Sequence, residues 1–289
     1  MNKRIFTPVS FLLMALTVCL VAICIEIFSC PANAAEQSYL LVLNKAENTL
    51  AIIDPQDYKI IAKIPTGDGP HEVIASADGK LAFVANYGTQ QVLGSSLSVI
   101  DLAARKELRR VDLGALKRPH GIIEVSGKIY FTCEVNRLIA RYDPGADKVD
   151  WIMGTGQDAT HMLVATADAK RIYTANIRSN TVTVFDSTTP PMKVIQIPVG
   201  NQPEGIDLSP DGKELWVGQN TEGKITIIDT ATNKVKESIQ TGGVPIRVKF
   251  TPDGKRALVS SAQSGELIVL DALTRKEVKR IAVGETPVG

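Results

Sequence analysis

Gly69-Pro70-His71-Glu72-Val73-Ile74-Ala75-Ser76-Ala77-Asp78-Gly79-Lys80 is the first clear copy of a phrase that returns through the chain. Its opening recurs as Pro119-His120-Gly121-Ile122, Thr160-His161-Met162-Leu163, Pro203-Glu204-Gly205-Ile206 and Pro245-Ile246-Arg247-Val248. Its ending recurs as Ser209-Pro210-Asp211-Gly212-Lys213 and Thr251-Pro252-Asp253-Gly254-Lys255. A fixed period of about 40 residues is the mark of a repeat architecture, and it constrains the fold before any single element is assigned.

A second series confirms the period. Asp54, Asp101, Asp143, Asp186, Asp229 and Asp271 each close an apolar run, at spacings of 47, 42, 43, 43 and 42 residues. In the unit that starts at Pro203 the pattern predicts four strands, over 204–208, 214–218, 224–228 and 234–240. We label them A to D. The third-strand tracts Ala51-Ile52-Ile53, Thr183-Val184-Phe185 and Thr226-Ile227-Ile228 are β-branched and apolar, as buried strands are. Asp-Gly-Lys joins A to B, where glycine accepts the positive φ of a tight hairpin. The aspartate that closes strand C is placed to accept hydrogen bonds from backbone N–H groups ahead of it, a structural role.

Four short strands per unit, repeated around an axis with no competing helical period after residue 35, predict an all-β chain built as a β-propeller. Leu81-Ala82-Phe83-Val84-Ala85-Asn86, Arg171-Ile172-Tyr173-Thr174-Ala175-Asn176 and Glu214-Leu215-Trp216-Val217-Gly218-Gln219 resemble the strand that gives YVTN-type propeller repeats their name. Asn180-Thr181-Val182-Thr183-Val184-Phe185-Asp186 and Val199-Gly200-Asn201-Gln202-Pro203-Glu204-Gly205 are similar to the rest of that repeat. The resemblance covers residues 38–289. It implies a seven-bladed ring, often exported, in a superfamily that includes surface-layer proteins, haem-binding nitrite reductase domains and quinoprotein subunits. Six sets of strands B, C and D are readable but only five full A strands, so the expectation is a seven-bladed type shortened at the C-terminus, the alternative being a six-bladed ring with an incomplete closing strand. Such repeats specify fold strongly and function weakly.

The N-terminal 34 residues read as a signal peptide. Lys3 and Arg4 precede an apolar run from Ile5 to Phe28, and Ala32-Asn33-Ala34 offers a small-x-small cleavage site. The run is long enough to serve as an uncleaved anchor, and Cys30 is a candidate for lipid attachment. Residues 35–289 form the propeller domain, expected in the periplasm or secreted. Cys19, Cys24 and Cys30 lie in the leader, which leaves Cys133 without an intramolecular partner. Cys133 stands where other repeats have alanine, so a buried packing role is expected. Removing Lys3, Arg4 and Glu26 from the 32 basic and 31 acidic residues leaves 30 of each. A neutral chain without a basic run does not predict nucleic-acid binding. Membrane contact is expected only through an uncleaved leader.

All three histidines, His71, His120 and His161, occupy one register of three successive repeats, and Glu204 holds that register in the next. Strand A lines a propeller's channel, so these side chains are expected at the channel mouth. Asn86, Glu134 and Asn176 end their B strands near the same face, and Asp158 adds to its rim. The blander alternative, polar residues tolerated at a wet channel mouth, fits any one histidine. It fits three in register less well, because neither hairpin nor core physics requires imidazole there. The expected site is a channel face holding a small ligand, a protein partner or a divalent metal, with His71, His120 and His161 as metal ligands. Two alternatives stay open: a metal-assisted lyase or hydrolase on the same face, and a redox or haem-associated accessory. Cys-x-x-Cys-His is absent, which excludes covalent c-type haem attachment.

Overall fold

The computed structural model describes residues 38–289, so the expected leader and its three cysteines lie outside the described residues. These residues form 23 strands, and no helix is assigned among them. The first sheet holds β1 (Leu40–Asn44), β2 (Thr49–Ile53) and β3 (Ile60–Pro65). The second holds β4 (Pro70–Ala75), β5 (Leu81–Gly88), β6 (Leu93–Asp101) and β7 (Lys106–Asp112). The third runs through β8 (Pro119–Val125), β9 (Lys128–Cys133), β10 (Leu138–Asp143) and β11 (Lys148–Gly154). The fourth has β12 (Thr160–Ala165), β13 (Arg171–Asn176), β14 (Thr181–Asp186) and β15 (Lys193–Pro198). The fifth has β16 (Pro203–Leu208), β17 (Glu214–Gln219), β18 (Lys224–Asp229) and β19 (Lys234–Gln240). The sixth has β20 (Pro245–Phe250), β21 (Arg256–Ser261), β22 (Glu266–Asp271) and β23 (Glu277–Ala282).

Each sheet is an antiparallel meander, five of four strands and the first of three. Six blades are therefore present, as the repeat count requires, and the first lacks an inner strand among the described residues. Inner strands of successive blades, β4, β8, β12, β16 and β20, pack side by side and line the channel. The strands expected from Pro203 onward agree with β16 to β19 to within a residue at each end.

The hairpin chemistry follows the sequence. Asp78 Oδ1 accepts from Ser76 Oγ at 2.6 Å and from Lys80 N at 3.1 Å, and Gly79 takes φ +67°. The same arrangement recurs at Asp211 and Asp253, and at Asp168 with Ala169 in the glycine position. These hydrogen bonds hold the Asp78 carboxyl down to about 2. The strand-closing aspartates all accept backbone N–H bonds, for example Gln56 N to Asp54 at 2.8 Å and Thr232 N to Asp229 at 2.8 Å. Between blades the facing sheets interlock: Phe83 and Leu97 of the second blade pack on Phe131 and Tyr142 of the third. Fully burying each such apolar side chain contributes about 1.5–3 kcal/mol. Cys133 is fully buried in that layer, which pushes its thiol pKa far up and leaves it an inert packing residue. Trp216 is likewise core, edge-on to Phe250 at 5.0 Å.

Candidate functional site

Every inner strand breaks its ladder at the histidine register. Pro70 pairs with Asn86 and Glu72 with Ala85, so His71 is an extra residue in β4. Pairing in β8 jumps from Pro119 to Ile122, across His120 and Gly121. In β12 it jumps from Thr160 to Leu163, and in β16 from Pro203 to Ile206. Residue Ile246 is bulged in β20. A bulge bends the strand and re-aims the side chain it carries. Five bulges at one level of the channel thus turn His71, His120, His161 and Glu204 out of the sheets. Gly121 makes room for this: a Cβ there would lie 2.8 Å from His161 O and 2.9 Å from Met162 Cα.

The imidazoles form a column. Ring centres of His71 and His120 lie 4.1 Å apart, and those of His120 and His161 lie 3.7 Å apart. Tyr87 meets both His71 and His120 edge-on, at 5.3 Å each. Carboxylates surround the column. Glu134 accepts from Tyr87 OH at 2.5 Å and is hydrogen-bonded to His161 Nδ1. Glu204 Oε1 stands 3.4 Å from His161 Nε2, and its other oxygen accepts from Asn220. Glu72 lies 3.6 Å from His71 Nδ1 and receives Arg247 at 2.5 Å, a pair joining the first and last four-stranded blades across the channel. Donor atoms of His71, Glu72 and His120 all lie within 4.8 Å of one another, and so do those of His120, Glu134 and His161.

His120, shared by both groups, is fully buried, and neither of its ring nitrogens has a hydrogen-bond partner. Leaving a buried polar atom unsatisfied costs about 1–3 kcal/mol. Burial, reinforced by His161 and His71, holds its pKa well below the ordinary histidine value, so the ring is neutral at pH 7. His161 behaves oppositely. Burial works against its charge, but the hydrogen bond to Glu134 and the Glu204 carboxylate beside Nε2 outweigh it and raise its pKa. Burial would raise Glu134 and Glu204, yet His161 holds both below the usual carboxylate range. Burial and then the Glu134 bond push Tyr87 up to about 12, so its hydroxyl stays a donor. A neutral imidazole between ionised carboxylates is a nitrogen-and-oxygen donor set for a divalent cation of intermediate softness.

The sequence-derived candidates divide cleanly. His71, His120, His161, Glu134 and Glu204 converge. Asn86 and Asn176 are fully buried elsewhere: Asn86 caps Gly67 N and bonds Ser96 and Ser98, and Asn176 bonds Thr160, Thr181 and Thr183. They stitch strand ends together and do not face the histidines. Asp158 pairs with Arg137 on the rim. Glu72 and Arg247 were missed, although both sit one position past the histidine register. Lys45 and Arg118, which flank Tyr87, lie in turns outside the repeat phrase and left no periodic signal.

Fold and site together define a β-propeller with a histidine–carboxylate cluster at its channel mouth. A family model described as the cytochrome D1 heme domain matches residues 161–289, which includes His161 but neither His71 nor His120. Antigen Lp49 of Leptospira interrogans is 29% identical over 175 residues, covering 52% of this chain and 37% of that protein. The chain thus spans little more than a third of that relative's length. Among solved structures, hydrazine synthase of Kuenenia stuttgartiensis superposes with a TM-score of 0.75 at 18% identity, over 87% of this chain and 85% of that one. A functionally unknown protein from Desulfotomaculum acetoxidans superposes with a TM-score of 0.71 at 16% identity, over 87% and 84%. At such identities the likeness concerns the fold.

Proposed function

We propose that this protein is an exported binding propeller that holds a divalent transition-metal ion at its channel mouth and uses the ion to capture a small ligand. His120 supplies the central donor, and either His71 with Glu72 or His161 with Glu134 supplies the others. The observation that carries this reading is His120 itself: a buried, neutral imidazole with two unpartnered nitrogens, set between two further imidazoles and two carboxylates. Tetrahedral bonds of about 2.0–2.1 Å to zinc put donor atoms about 3.3 Å apart. The present separations, up to 4.8 Å, close by side-chain rotation of the kind that accompanies binding.

The partial family match raises haem as a cofactor. The residues present do not suit it. The faces of the imidazoles are covered by one another at 3.7 and 4.1 Å, so no macrocycle fits between them. Their edges meet carboxylates that are themselves paired with Arg247, where a porphyrin face needs an apolar slot.

Calorimetric titration of zinc into metal-stripped protein tests the reading. Wild type is expected to bind one ion, and His120→Gln to weaken binding by at least tenfold without loss of folding. Equal affinity in wild type and variant would contradict it.

A further inference from the structure

Two cations stand beside the cluster over one aromatic ring. Lys45 Nζ lies 5.2 Å from the centre of the Tyr87 ring, and Arg118 Cζ lies 4.5 Å from it. Lys45 comes from the β1–β2 turn and Arg118 from the connection into β8, so two different blades bring them to one tyrosine. Neither forms an ion pair with a carboxylate among the described residues. Their mutual repulsion is felt: burial and then Arg118 lower the Lys45 pKa. Arg118 is held in place by a bond from Nη2 to Thr89 O at 3.0 Å, and its own carbonyl accepts from Glu134 N at 3.2 Å. Two like charges thus stand over the Tyr87 ring, whose edge meets His71 and His120. The carboxylates nearest these cations, Glu134 and Glu72, are already paired with Tyr87, His161 and Arg247, which leaves the two cations able to take an added anion. The His71 side chain, 23% exposed, is the accessible end of the imidazole column.

We infer that the small ligand is an oxyanion, a carboxylate or phosphate gripped by Lys45 and Arg118, whose oxygen completes the coordination of an ion on the His71 side of the column. This deepens the metal-binding reading and rests on it for the second contact, whereas the two cations act with or without the ion. Arg118 offers the paired N–H donors that match two oxygens of one group, and Lys45 adds a point charge.

Calorimetry on the full chain tests the inference, with succinate and inorganic phosphate as separate probes of metal-stripped protein. At least one should bind saturably. Arg118→Ala and Lys45→Ala should each weaken that binding by about tenfold, the scale of a lost charge-assisted hydrogen bond. Lys63→Ala, whose lysine pairs with Glu47 on the outer face of its blade, should leave it unchanged. Lys45 is exposed in a turn, so its variant separates loss of binding from loss of folding. Zinc loading should tighten succinate several-fold, while the two variants keep wild-type zinc affinity. Failure of both probes to bind, or equal binding by wild type and variants, overturns the anion seat. Anion binding without zinc binding retains the seat and removes the metal reading. Zinc and succinate that bind without affecting each other overturn the shared site.

Discussion

His120 is the residue at which stability and binding pull apart. A buried imidazole with two unsatisfied nitrogens costs about 1–3 kcal/mol that an apolar side chain of similar size does not. His120→Leu should therefore leave the metal-free protein as stable as wild type or up to about 2 kcal/mol more stable in urea unfolding, while removing zinc binding. A loss of more than about 1 kcal/mol would show that the ring is there for packing. His161 carries a pH signature. Its folded pKa is raised, so its ion pairs stabilise fully below the unfolded value of about 6.5 and are lost as pH rises through the folded one. For Glu134 and Glu204 the folded values are lowered, so their contribution is present above about 4.3 and is lost as pH falls through them. Metal-free protein should be most stable between those limits, and His161→Gln should flatten the alkaline decline in urea midpoints measured across pH.

At the scale of the element, the bulges matter more than the strands. The four-strand unit was legible because β-branched tracts, Asp-Gly-Lys hairpins and strand-closing aspartates recur at fixed spacing. The bulges were not, because one extra residue in an inner strand leaves that spacing intact. The histidine column was legible as a register, but Glu72 and Arg247 lie one position on, and the bulge is what brings that position to the same level. Asn86 and Asn176 lie apart from the histidine column for a related reason. They end strand B beside the channel face, yet their amides satisfy serines, threonines and the Gly67 N–H. Gly121 tests the geometry of the bulge. Gly121→Ala places a methyl against His161 O and Met162 Cα, so β12 must shift. The expected cost is about 1–3 kcal/mol in urea unfolding, with a several-fold weaker zinc affinity. An alanine variant with wild-type values in both would show that the strands approach less closely than described.

For the whole molecule, the ring converts sequence register into a shared site. Successive blades differ by a rotation about one axis, so residues far apart in the chain meet at one level of the channel. Arg247 and Glu72, 175 positions apart, are the clearest case. The first blade has only β1 to β3, and the inner edge of β1 is unpaired among the described residues. Open edges of this kind are where further strands pair. The six blades that the repeats predict are present, and the site draws on them. The central claim is that one ion sits on His120. The most direct measurement is anomalous diffraction at the zinc edge from crystals of zinc-treated protein. The account predicts a single peak in the channel, about 2.0–2.1 Å from a His120 nitrogen, with His71 or His161 and a glutamate completing the shell. A channel with no anomalous peak, or zinc bound only to surface carboxylates, would contradict it.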